Sequence, residues 1–103
     1  MWSPPPVDLL FVGDSITDAW RRDPQNKLFN QRWGKHNPLN IGIGGDQTQH
    51  VLWRLENGEV DGIKPKVVVL MIGTNNLGRS GEPANPLPQI AAGVEKIISS
   101  VRR

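Results

Sequence analysis

Short apolar runs closed by glycine alternate with amphipathic stretches along this chain, and the alternation predicts its elements. Val7 to Val12 (VDLLFV) is nearly all apolar and lies between proline and glycine, the pattern of a short strand buried on both faces. Leu39 to Ile43 is read as the second strand, and Lys66 to Ile72 (KVVVLMI), the most β-branched segment, as a central strand. Between the runs the apolar period lengthens. Ile16 to about Arg22 predicts a helix that Asp23 and Pro24 break, and Asn26 to Trp33 a second one with Leu28, Phe29 and Trp33 on one face. Gln49 to Glu56 predicts a helix with Val51, Leu52 and Leu55 inward, capped by Asp46 or Thr48 and ending before Asn57 and Gly58. The last helix is expected over Ile90 to Val101, where Ile90, Val94, Ile97, Ile98 and Val101 recur at helical spacing.

The remaining segments are connectors. Residues 1–6, with Pro4, Pro5 and Pro6 together, predict an extended lead-in, because each proline lacks an amide donor and fixes φ. Leu77 to Pro88 is rich in Gly, Pro and Asn and predicts a loop. The sum is βαβαβα, an α/β fold of flavodoxin-like, three-layer type with a parallel sheet in the order 2-1-3 and right-handed crossovers. With no strand predicted beyond the third, its outer edge is an association hazard, so the chain is expected to be marginally stable or to pair with a second copy through that edge.

Composition narrows the function classes. Lys and Arg number 12 against 10 Asp and Glu, a formal charge of +2 that Arg102 and Arg103 account for, so no concentrated basic face points to nucleic acid. Cysteine is absent, which removes disulfides and thiolate metal sites. No apolar stretch is long enough to span a membrane, and MWSPPPVD has neither the basic nor the apolar region of a secretory signal. The cytoplasm is the default compartment.

The chemistry gathers where apolar runs end. GDSIT (13–17), NIGIGGD (40–46) and IGTNN (72–76) are three glycine-and-polar turns, each following a predicted strand. Open α/β sheets place their sites at such carboxyl ends. Ser15 is the candidate nucleophile, with the first helix's amino end favouring negative charge beside it; a serine that merely caps that helix is the alternative from these residues alone. Asp14, its neighbour on an extended chain, points away and is assigned to holding the turn. Gly44 and Gly45 let a backbone N–H approach a substrate oxygen with no Cβ between, and Asn75 offers an uncharged amide donor.

These three blocks in this order resemble the SGNH, or GDSL-type, esterases and lipases. The run GIGGDQTQHVLWRLENGEVDGIKPKVVVLMIGTNN, residues 42–76, is most similar to the catalytic subunits of intracellular type I platelet-activating-factor acetylhydrolases and their bacterial relatives. The resemblance implies a serine esterase in which Ser15 is the nucleophile and Gly45 and Asn75 form the oxyanion hole, acting on a small ester, an acetyl ester by the nearest branch. The family's Asp-x-x-His block has no counterpart up to Arg103, so residues 1–103 are expected to be the N-terminal portion of one hydrolase domain. His36 and His50 are expected to be bystanders to the chemistry.

Trp20, Trp33 and Trp53 are expected in packing, Trp53 between helix and sheet or across a dimer. No metal cluster, Walker-type phosphate loop or dinucleotide fingerprint is present, so neither metal nor cofactor is expected. Two rivals stay open. One is a chain that is no enzyme and acts by associating through its open edge; the other is a flavodoxin-like nucleotide or flavin binder, for which the first loop is short and acidic.

Overall fold

The computed structural model describes residues 6–78 and 84–102. Its central strand is β1, Leu9–Gly13, in which all five residues are buried. β1 pairs in parallel with β2, Pro38–Asn40, on one side and β3, Val67–Met71, on the other, giving the order β2-β1-β3. Leu9 stands opposite Pro38 and Val67, and Phe11 opposite Asn40 and Val69. This is the sheet order that the apolar runs predict. Because all three strands run the same way, the turns after them emerge at one end of the sheet.

The crossover from β1 to β2 carries α1, Ser15–Asp18, a 3-10 turn over Ala19–Arg21, and α2, Gln25–Trp33. α1 is far shorter than the helix expected to reach Arg22. Past Asp18 the chain tightens into the 3-10 turn, and Arg22 is already extended. α3, Thr48–Glu56, leads towards β3, and α4, Leu87–Val101, closes the described chain. α4 begins three residues before the predicted Ile90, since Pro88 falls in the first turn, where a missing amide donor is tolerated. The predicted 77–88 loop is therefore shorter at its end; Thr74–Leu77 forms a 3-10 turn, and residues 79–83, like 1–5 of the lead-in, lie outside the described residues.

β2 also ends earlier than the predicted Ile43. Its ladder partly continues, as Ile41 N–H donates to the Phe11 carbonyl at 2.9 Å and Ile43 N–H to that of Gly13 at 3.2 Å. Gly42 N–H is instead taken by Oδ1 of Asn40 at 2.8 Å, a local side-chain bond that competes with strand pairing.

Two apolar clusters flank the sheet. On one face Leu10, Val12, Ile41, Val51, Leu55 and Ile97 pack together, with Val68, Leu70 and Ile72 against them. On the other, Leu9, Phe11 and Phe29 form a smaller cluster with Trp20 and Trp33. Its rings meet at tilted angles, Phe11 to Phe29 at 5.1 Å and Phe11 to Trp33 at 6.0 Å between centroids. β3 was expected to be a central strand, yet among the described residues it lies at the edge of the sheet, and Val67, Val69 and Met71 are exposed. α2 covers β1 but does not extend over them. Trp53, 65% exposed, does not pack between helix and sheet.

Candidate active site

The turn after β1 is built around Asp14. Its side chain is buried, Oδ1 accepts the Ile16 N–H at 3.0 Å, and its carbonyl accepts the Asp18 N–H at 2.9 Å. Asp14 is therefore the cap of α1, and the alternative in which Ser15 caps the helix is overturned. Ser15 is the first residue of α1 and is exposed to solvent. A four-residue helix adds little dipole to the serine, contrary to the expectation of a longer one.

The turn after β2 is pressed against the first. Asn40 donates from Nδ2 to the Thr17 carbonyl at 2.7 Å while its Oδ1 holds Gly42 N–H. Arg21 reaches across to donate to the carbonyls of Asn40 and Gly42, the latter at 2.9 Å, and pairs with Asp18. A Cβ on Gly42 would lie 2.7 Å from the Asp18 nitrogen and 2.9 Å from Thr17 Cβ, so only glycine permits this approach. A Cβ on Gly44 would sit 3.7 Å from Ser15 Cβ, which measures how near this turn comes to the serine. Gly45 has φ of 83°, a left-handed turn that reverses the chain into α3.

α3 is capped by Gln47, not by Asp46 or Thr48. The Gln47 N–H donates to Nδ1 of His50 at 2.9 Å, so His50 serves the helix start and its neutral ring carries its proton on Nε2. Asp46 is free of capping because its carboxylate accepts from Nη2 of Arg54 at 2.6 Å. His36 lies in the 3-10 turn Gly34–His36 that precedes β2, at the amino end of the sheet, whereas Ser15 follows the carboxyl end of β1. A strand's length, about 15 Å, separates those ends.

The turn after β3 joins the second. Asn75 donates from Nδ2 to the Asp46 carbonyl at 2.9 Å, and Gln47 Nε2 donates to the Asn75 carbonyl at 3.0 Å. Asn76, 2% exposed, accepts the Thr48 N–H at 2.8 Å. Its Nδ2 lies within hydrogen-bond distance of Thr48 Oγ1, Gln49 Oε1 and Asn85 Oδ1. It thus anchors the start of α3 to the end of β3.

Of the three residues singled out from the sequence, the fold brings Asn75 to the Gly45–Asp46 segment and sets Ser15 against neighbouring Gly44. Such a set, an exposed hydroxyl beside a glycine turn and a carboxamide, suits acyl transfer. Asn40, Arg54 and Asn76 were not read from the sequence as parts of the site. Arg54 carried a signal: it falls between Val51 and Leu55 on the apolar side of its helix, where a charge needs a partner. Among the described residues no three His, Cys, Asp or Glu side chains gather as a metal site, and no helix is long and apolar enough to cross a membrane.

Known proteins resemble this arrangement in sequence and in fold. Residues 11–103 match the model of the GDSL-like lipase/acylhydrolase family. Platelet-activating factor acetylhydrolase IB subunit alpha2 of Homo sapiens is 43% identical over 94 residues, and subunit alpha1 of Homo sapiens is 42% identical over 94. Both alignments cover 91% of this chain and 37% of the relative, so the chain spans just over a third of their length. A member of the lipolytic protein G-D-S-L family from Veillonella parvula superposes with a TM-score of 0.72 over 93% of this chain and 53% of that one. At 22% identity that likeness speaks to the fold alone.

Proposed function

Since this chain belongs to the GDSL-like lipase/acylhydrolase family, we propose that it carries the nucleophile and oxyanion hole of a serine esterase acting on small acetyl esters. Ser15 Oγ bonds to the ester carbonyl carbon, its proton passing to a base and then to the departing alcohol. Water repeats the attack on the acyl-serine and releases the carboxylic acid. The backbone N–H groups of Ser15 and Gly45 and the side-chain amide of Asn75 receive the charge on the carbonyl oxygen.

The observation that carries this reading is the convergence of all three turns at one end of the parallel sheet, with Asn75 hydrogen-bonded to the residue following Gly45. The acetyl group is inferred from the names of the relatives, which are acetylhydrolase subunits. The base and the acid that orients it come, in this reading, from residues outside these 103, as the family's Asp-x-x-His block implies.

The test is acetylation of the chain by p-nitrophenyl acetate, followed by intact-mass and peptide mass spectrometry beside the Ser15→Ala variant. One acetyl group on Ser15, lost in the variant, is the expected result. Equal labelling and equal ester hydrolysis by the two proteins would overturn the assignment of Ser15. Serine-dependent turnover at an enzymatic rate would move the base inside this chain or its oligomer.

A further inference from the structure

Two of the three proposed oxyanion donors, Gly45 and Asn75, lean on one residue, and that residue is held by a largely buried cation. Asp46 directly follows Gly45, and its carbonyl receives the Asn75 side-chain amide at 2.9 Å. Its carboxylate receives Nη2 of Arg54 at 2.6 Å, with the two side chains only 12% and 13% exposed. Nη1 of Arg54 donates to the Ile41 carbonyl at 2.8 Å and to Glu59 Oε1 at 2.7 Å. Arg54 Nε finds no acceptor among the described residues, so the guanidinium meets its partners through the two Nη atoms alone.

We infer that Arg54 is a positioning residue for the oxyanion hole: by clamping Asp46 to the end of β2 it fixes the Gly45 backbone amide and the Asn75 carboxamide together. The inference rests on the reading of Gly45 and Asn75 as oxyanion donors. The fork geometry explains the residue type. One guanidinium spans from the Asp46 carboxylate to the Ile41 carbonyl, five residues earlier in the chain, and so brackets both ends of the glycine turn. An ammonium presents a single point and can brace one end. Without the bracket, Asp46 keeps a buried carboxylate with no counter-charge, and the turn has reason to rearrange. An oxyanion donor displaced by as little as about 1 Å lowers the rate about a hundredfold while leaving substrate binding in place.

The experiment compares Arg54→Met, Arg54→Lys and Asp46→Asn with Val51→Ala, a core substitution on the same helix. The first readout is the proton–nitrogen spectrum of the chain. The Gly45 backbone amide and the Asn75 side-chain amide are expected to shift together in Arg54→Met, less in Arg54→Lys and Asp46→Asn, and to stay in place in Val51→Ala. The second is the rate at which p-nitrophenyl acetate acetylates Ser15, which is expected to fall about a hundredfold in Arg54→Met. If Arg54→Met fails to fold, the two milder variants carry both readouts. Amide signals that ignore Arg54, or that move as far in Val51→Ala, overturn the inference whatever Ser15→Ala does. Signals that move as expected beside a Ser15→Ala variant acetylated as fast as the parent retire the esterase reading and, with it, the catalytic meaning of the bracket.

Discussion

The two faces of the sheet are finished to different degrees. Towards α3 and α4, Leu10, Val12, Val51 and Ile97 are essentially sealed, at 1% exposure or less. On the α2 side, Leu9, Phe11 and Phe29 keep 7–8%, and in the same layer Val67, Val69 and Met71 reach 56, 43 and 45%. The sequence of β3 does not distinguish these surroundings, since Val67, Val68 and Val69 are identical residues. What differs is the helix opposite. α3 and the fifteen-residue α4 stand over one face, where Val51, Leu55 and Ile97 are buried, while the nine-residue α2 reaches only as far as β1. Apolar pattern thus reports a demand for burial, and whether it is met depends on the neighbouring layer.

The sharpest way to break this contrast is Ile97→Ala on the sealed face, expected to cost about 3 to 4 kcal/mol in urea unfolding, because a fully enclosed site cannot collapse around the lost atoms. Next is Asn76→Ala, which strands the Thr48 amide and the side chains bonded to it at the top of the same face. It is expected to cost about 2 kcal/mol, read the same way. Phe29→Leu on the looser face is expected to cost about 1 kcal/mol, since Trp20 and Trp33, both partly exposed, have room to shift. Smallest is Val69→Thr, a near-isosteric change expected to alter stability by no more than about 0.5 kcal/mol. A cost above about 1 kcal/mol there would mean that the open face is covered in solution, and concentration-dependent light scattering would then identify a second copy as the cover.

β1 and β3 were legible because each is an apolar run closed by glycine, whereas β2, only Pro38–Asn40, was overextended to Ile43; the parallel pairing followed from the helical stretches between the strands. The three turns were legible for the same reason. Helix starts were less so. Gln47 caps α3 through a reciprocal bond with His50, a pairing that cap preferences do not suggest, and Pro88 marked the inside of α4 and not its outside. α1 was overread because Ala19, Trp20 and Arg21 suit a helix, yet they close as a 3-10 turn from which Arg21 reaches the carbonyls of Asn40 and Gly42. Side chains of the site whose partners are distant in sequence, Asn40 with Thr17 and Asn76 with Thr48, left no local trace. Trp53 shows the limit from the other side: a large aromatic on a helix, it has solvent for most of its surroundings.

The one-sided pairing of β3 has a consequence for isotope exchange. Successive amides of a strand point alternately left and right, and among the described residues Val67–Met71 pairs with β1 alone. Deuterium uptake along this strand should therefore follow a two-residue rhythm, slow where the amide faces β1 and fast where it faces outward. Any chain that docks along that edge would slow the fast positions and leave the slow ones as they were. The pattern would then report both that the edge is occupied and in which register.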